Sequence, residues 1–364
     1  MKKKGFDRKK GIMLVLPAIL CLMLAGILYF TMRHMIDGLT EQQMAKRWSK
    51  EGESAQISCF FSQNAGITAE RLEEFEHELD AYLIENSIEV SAEHPGARLW
   101  ADSYSADGKI TLSNGKISVE ADAVGFGGDF FLFHPQKLLY GSYFSGHDIN
   151  QDYCVIDQDA AWQLFGSNNV AGMTVYISGL PYLVQGVVER PKGRLEEAAG
   201  LDGTRVFVAY STLAQYGTVH GIDQYEIVMT NPVEKFAYNY VKKQLGQNER
   251  ETEVIENSTR FSLLNRLRMI KAFGTRSMNG KAIIYPYWEN LARGCEDLAA
   301  LFTLLMILLL LYPIMLAVVL FVAFWKGKGW TFRDIWIKII DRVERYSEKR
   351  YAQKHDQKQG KERK

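Results

Sequence analysis

The stretch Cys154-Val-Ile-Asp-Gln-Asp-Ala-Ala-Trp-Gln-Leu-Phe-Gly166 carries a strand, a helix and a helix stop in one short segment. Tyr153 to Ile156 is a compact apolar run that reads as a buried strand. From Asp157 to Phe165 the pattern changes to a short helix, with Leu164 and Phe165 facing the strand. Gly166 then supplies a residue that enters the left-handed region without a Cβ clash and so ends the helix. Working outward, 173–178 and 182–188 are strands joined through Gly179-Leu-Pro181 as a hairpin, and a polar, Gly-containing loop runs to Thr204. Strands at 205–210 and 224–229 and a helix at 232–245 follow. Strands and helices interspersed in this way define an α+β domain of mixed, mostly antiparallel sheets with packed helices.

Upstream, 54–62 reads as a strand. Thr68 is placed to cap a helix whose apolar face is Leu72, Phe75, Leu79 and Leu83 and which ends near Asn86. Between 97 and 133 the sequence alternates in short segments. Asp107-Gly108 and Asn114-Gly115 are pairs that favour two-residue hairpin turns, so an antiparallel meander is expected there. Gly125-Phe-Gly-Gly-Asp129 has the glycines of a phosphate loop but no Lys-Ser/Thr pair and no following helix, and reads as a turn or bulge.

This domain lies between two runs that carry no charge, 11–32 and 298–325. Each is long enough as a helix to cross a bilayer. The first follows a basic segment but exceeds the ~7–15 apolar residues of a secretory signal and offers no small-residue cleavage site, so it reads as a retained anchor. The second holds Pro313, which a membrane helix tolerates as a kink. The 364 residues contain 43 basic and 43 acidic side chains, and this even balance conceals a polar distribution. Residues 1–10 sum to +5 and 326–364 to +7, whereas 33–297 hold 24 basic against 36 acidic residues, or −12. Both termini are therefore expected in the cytoplasm and 33–297 outside the plasma membrane. An acidic exterior domain has no evident attraction for anionic lipid or nucleic acid, while the basic ends suit the anionic inner surface of the lipid bilayer.

Around the second run, 260–273 mixes apolar and basic residues. Tyr285, Tyr287 and Trp288 fit either an interfacial aromatic belt or packing on the domain. Residues 289–297 form a polar helical lead-in, so the domain and the span can share one helix. Beyond the span, Trp330, Ile335, Trp336, Ile339, Ile340 and Val343 recur at helical spacing among basic residues. Such a helix can lie on a membrane or dock on an ATPase; from Ser347 the tail is basic and polar.

The sequence carries no expected catalytic, cofactor-binding or metal-ligating set. The histidines make no HExxH, and there is no G-x-x-x-x-G-K-[ST]. Ser145-Gly-His147-Asp148 places triad residue types side by side, but adjacency is not triad geometry. Asp148, Asn150, Asp152 and Asp159 mimic a calcium loop, but Tyr153 stands where the sharp turn needs Gly. Cys59 and Cys154 lie in apolar contexts that suit buried free thiols, and spacing alone leaves a bridge open.

Four pieces in order, Leu138-Leu-Tyr-Gly-Ser-Tyr-Phe144, Cys154 to Gly166, Val170-Ala-Gly-Met-Thr-Val-Tyr-Ile177 and Tyr182-Leu-Val-Gln-Gly-Val-Val188, resemble the extracytoplasmic core domain of MacB-like and FtsX-like ABC transporter permeases. Members of that family follow their exterior domain with three spans and work with a cytoplasmic ATPase, whereas this sequence shows one apolar run there. The resemblance implies a non-catalytic accessory or half-permease subunit. Its partners would be an ABC ATPase and either a multi-span permease or a second copy of itself, and its work would be export or mechanotransmission. The competing expectation is a free-standing receptor or sensor whose exterior domain binds a ligand or envelope partner.

Overall fold

The computed structural model describes residues 8–49, 53–90, 96–201, 203–272, 283–327 and the single positions 336, 340 and 342. The amphipathic helix and basic tail expected beyond 326 otherwise lie outside the described residues. The helices are α1 (Arg8–Asp37), α2 (Met44–Trp48), α3 (Ala69–Glu85), α4 (Phe130–Phe133), α5 (Gln158–Phe165), α6 (Arg194–Ala198), α7 (Tyr210–Tyr216), α8 (Phe236–Leu245), α9 (Leu263–Ala272) and α10 (Tyr287–Gly327). The strands are β1 (Ser54–Phe61), β2 (Trp100–Ser113), β3 (Ser118–Gly128), β4 (Leu138–Gly141), β5 (Tyr153–Asp157), β6 (Thr174–Ile177), β7 (Leu180–Val188), β8 (Arg205–Ala209), β9 (Thr218–Val219), β10 (Gln224–Thr230) and β11 (Thr252–Glu256).

The strands form one mixed sheet in the order β11-β1-β10-β2-β3-β8-β5-β7-β4, with β6 on β2 and β7 and β9 on β2. Two pairings, β3 with β8 and β5 with β7, are parallel and the others antiparallel. The α+β class is as the sequence indicates, although the strands join into a single sheet. Its central strands are buried on both faces. In β1, Ala55, Ile57, Cys59 and Phe61 pack under α3 and α8, while Gln56, Ser58 and Phe60 point the other way. A second core, with Val184, Val206, Leu164 and Leu213, fills the space under α5 and α7.

Local signals decide several element ends. Thr68 Oγ1 accepts the Arg71 N–H, and Gly166 takes φ +72° after α5. Asp157 acts twice: one carboxylate oxygen accepts from Ala160 N at 2.7 Å, capping α5, and the other accepts from Arg205 N at 2.9 Å, fixing β8 beside β5.

Three expectations are corrected. Asp107-Gly108 is not a turn: β2 runs straight through it, paired with β3 on one side and β9 on the other. Glycine is needed there because a Cβ would sit 2.3 Å from the Thr218 carbonyl, a close approach of β9. The turn lies at Asn114-Gly115 within a four-residue loop, where Asn114 Oδ1 accepts the N–H groups of Lys116 and Ile117. Gly125 to Gly128 belongs to β3 in regular register. The apolar spacing of Met35, Ile36, Leu39, Met44 and Trp48 predicts that the first span continues outward as a helix over 32–50. That helix is broken, since α1 stops at Asp37 and a 3-10 turn, Thr40–Gln43, precedes α2. That break lets Leu39 and Met44 bury against the domain.

The chain divides into two compact units. One comprises 28–304 and holds the sheet. The other comprises 1–27 and 305–364, within which Tyr312 Oη donates to the Leu14 carbonyl at 3.0 Å. α1 and α10 are both long and apolar enough to cross a membrane.

Candidate functional site: a buried ionic network at the root of α10

The face of β1 and β10 turned away from α3 and α8 is polar. Strand alternation puts Gln56 and Ser58 of β1, and Gln224 and Glu226 of β10, on that face, and Ser58 lies opposite Glu226 in the ladder. Ser58 Oγ donates to Glu226 Oε1 at 2.5 Å, and Asn257 Nδ2 donates to Ser58 Oγ at 2.6 Å. The other Glu226 oxygen lies 2.6 Å from His134 Nε2. All these groups are buried. Burying them without partners would cost folding energy, so their contacts fix the loops that carry them.

Asn257 leads to Arg260, whose side chain is 1% exposed. Arg260 grips Glu289 in a two-toothed pair, Nη1 to Oε2 at 2.6 Å and Nη2 to Oε1 at 2.8 Å, and its Nε lies 2.9 Å from Glu296 Oε1. Gln42, from the 3-10 turn after α1, accepts from Arg260 Nη1 at 3.1 Å. Burial alone would lower the Arg260 pKa, but the charges of Glu289 and Glu296 outweigh it and the net shift is upward. Arg293 extends the chain: its Nε donates to Glu289 at 2.5 Å, Nη2 donates to Glu253 of β11 at 3.1 Å, and its guanidinium lies 3.7 Å from the centre of the Tyr285 ring. Tyr285 Oη donates to Glu253 in turn.

Glu289, Arg293 and Glu296 are spaced i, i+4, i+7 on α10, which aligns them on one face. A single helix thus presents a charged ladder to the sheet and to the turn after α1. Aromatic packing adjoins it. Trp288 is buried against His134, with ring centroids 4.2 Å apart, and against Phe130; the Arg205 guanidinium lies 4.3 Å from the Tyr287 ring centre. Tyr285, Tyr287 and Trp288 are all buried, so of the two sequence readings the structure takes packing on the domain. The arrangement suits holding a helix against a sheet.

Residues singled out earlier fall elsewhere. Asp148 accepts from Ser145 N and Ser145 Oγ accepts from His147 N, so those three close a tight loop through backbone groups. Asp159 pairs with Arg190 at 2.8 Å. Among the described residues no cluster of metal-ligating side chains is found. Cys59 and Cys154 are buried free thiols. The polar lead-in expected over 289–297 carries the α10 side of this network. The i, i+4, i+7 alternation of charge at the mouth of an apolar run was its visible signal.

The family model of the MacB-like periplasmic core domain matches residues 19–242. This chain belongs to that family. The match takes in β1 to β10 and most of α8, and stops short of β11 and of the Arg260 and α10 half of the network. Relatives of the MacB-like chain include the macrolide export ATP-binding/permease protein MacB of Pasteurella multocida, 36% identical over 81 residues that cover 22% of this chain and 12% of that one. The protein of the same name from Chromobacterium violaceum is 31% identical over 109 residues, 29% of this chain and 16% of that one. The aligned part is therefore a small fraction of those relatives' length. Among solved structures, the periplasmic region of MacB from Actinobacillus actinomycetemcomitans aligns at TM-score 0.38 and 17% identity, covering 56% of this chain and 89% of that one. The extracellular domain of the ABC-type transporter YknZ from Gram-positive bacteria gives 0.36 and 16%, covering 55% and 99%.

Proposed function

We propose that this MacB-like chain is a non-catalytic membrane subunit of an ABC-type assembly, in which a partner ATPase drives movement of the exterior domain for export or mechanotransmission. The observation that supports this reading is the Arg260 clasp on Glu289 and Glu296, because α10 runs without interruption from the clasp through its apolar length. A displacement applied to α10 inside the membrane would reach the sheet through a buried ion-pair network, which resists separation since parting the charges leaves each one desolvated and unpaired. In the same reading 1–10 and 326–364 are cytoplasmic, 33–297 lie outside, and a multi-span permease or a second copy supplies further spans.

Affinity purification of a tagged chain in mild detergent from its native cells tests the partnership. Recovery of an ABC ATPase is the expected result; a chain recovered alone, or only with itself, sinks the proposal in favour of a receptor. Topology is checked separately by single cysteines at Lys116 and Ser347. An impermeant thiol reagent added to intact cells labels the first and spares the second if the orientation is right.

A further inference from the structure

Beside the ionic network, and sharing Gln42 and Asn257 with it, lies a cleft. α9 is amphipathic and buries none of its side chains: Leu263 and Leu264 are 57% and 60% exposed, with Arg268 and Lys271 beside them. Arg266 points the other way, its Nη1 lying 3.0 Å from Met32 Sδ and 3.1 Å from Thr303 Oγ1. Met32 ends the first apolar run and Thr303 stands in the outer part of the second, so α9 is fixed at the level where both runs meet the domain. Between α1, α2 and α9 opens a cleft of about 700 Å³.

Three cationic side chains, Arg33, Lys46 and Arg266, line it, and no carboxylate does among the described lining residues. Arg33 has a loose pair with Asp37 at 3.9 Å, one turn along α1. Hydroxyl groups of Ser54, Thr259 and Ser262 add small polar contacts, and Met32 and Ile36 give an apolar wall. The Arg266 Nε is buried without a partner, and Nη1 is left with a hydroxyl and a thioether, the latter a weak acceptor. A guanidinium in that condition gains most from an anion that brings several oxygens.

We propose that this cleft holds the phosphate headgroup of an anionic lipid from the leaflet facing the domain, with Arg266, Lys46 and Arg33 around the phosphate. The level of the cleft and the exposed leucines of α9 argue for a lipid over a soluble anion, since an amphipathic basic helix at that level rests its apolar face among acyl chains. The proposal requires that α1 and α10 sit in a bilayer and does not depend on an ATPase partner.

The test gives the full-length protein in mild detergent dioleoyl phosphatidylglycerol, dioleoyl phosphatidylcholine or inorganic phosphate at matched concentrations, and counts retained ligand by native mass spectrometry. Phosphatidylglycerol is expected to be retained at least about tenfold over phosphatidylcholine and not displaced by equimolar phosphate. Loss of one surface-level positive charge weakens anionic-lipid binding roughly fivefold. Lys46→Gln, at an exposed position, should therefore lower retention by about that factor with the melting temperature unchanged, and Arg266→Gln should lower it at least as far. Equal retention of the two lipids overturns the proposal. So does displacement by equimolar phosphate, which would mark a soluble-anion site, or unchanged retention in both variants.

Discussion

Asp157 shows how much one side chain can settle, since its two oxygens serve α5 and β8 separately. Asp157→Ala should lower stability by about 1–2 kcal/mol as a lost cap alone, and more for the orphaned Arg205 N–H, whereas Asp157→Asn should keep only one of the two bonds, because its single amide oxygen accepts one N–H and its Nδ2 faces the other donor to donor. Denaturant midpoints of the full chain would decide. Asp102 behaves differently. It is 3% exposed on the α3 side of the sheet, and burial, then the charge of Glu76, raises its pKa from 3.8 to about 8. Below pH ~4 folded and unfolded chains both hold this proton; from ~4 to 8 the folded chain keeps it while the unfolded chain loses it, so stability falls as pH rises and levels off above 8. Asp102→Asn should therefore be more stable than the natural protein by a margin that widens between pH 5 and 8, to on the order of 1–3 kcal/mol. A margin independent of pH would refute this. Thr68 and Gly166 were legible in the sequence because a cap is a local event within a few residues. Asp102 was not, because its burial is set by β10 and α3, which come from distant parts of the chain.

At the scale of elements, the clasp between Arg260 and α10 predicts strong coupling. Arg260→Met leaves Glu289 and Glu296 buried with too little compensating charge and should cost about 3–5 kcal/mol, while Arg260→Met combined with Glu289→Gln and Glu296→Gln should recover much of it. If the triple variant is no more stable than the single one, the ion pairs are not what that side chain contributes. Gly146 offers a steric test: a Cβ there would lie 2.4 Å from the Gly128 backbone N, which cannot swing aside, and Gly146→Ala should cost about 1–3 kcal/mol in chemical denaturation. Periodicity found most helices and strands, because an apolar face repeats within each element. It misread Asp107-Gly108 because a glycine that admits a neighbouring backbone and a glycine that makes a turn look alike until the neighbour is known. β11 and β4 went unread since each is short and takes its strand form from its partner, β1 or β7.

Across the whole molecule, the division of the core answers what cysteine spacing left open. Cys59 in β1 packs in the core under α3 and α8, Cys154 in β5 packs in the other core under α5 and α7, and both are free thiols. Burial pushes the Cys154 thiol up to about 12 and raises that of Cys59 as well. Neither should react with a maleimide until denaturant is added, and labelling of either in the native chain would contradict the packing. The pairing of β1 has a further bearing, on the way the protein is made. β1 is among the first strands synthesised, yet its neighbours β10 and β11 end at Thr230 and Glu256. At ~5–20 residues per second some 10–40 s of synthesis separate them, during which an apolar strand waits with both edges open. Nascent chains halted before Gln224 should be cut readily by protease within β1, and those released after Glu256 should not. The domain is thus one whose first strand finds its lateral partners only when the last strands have been made.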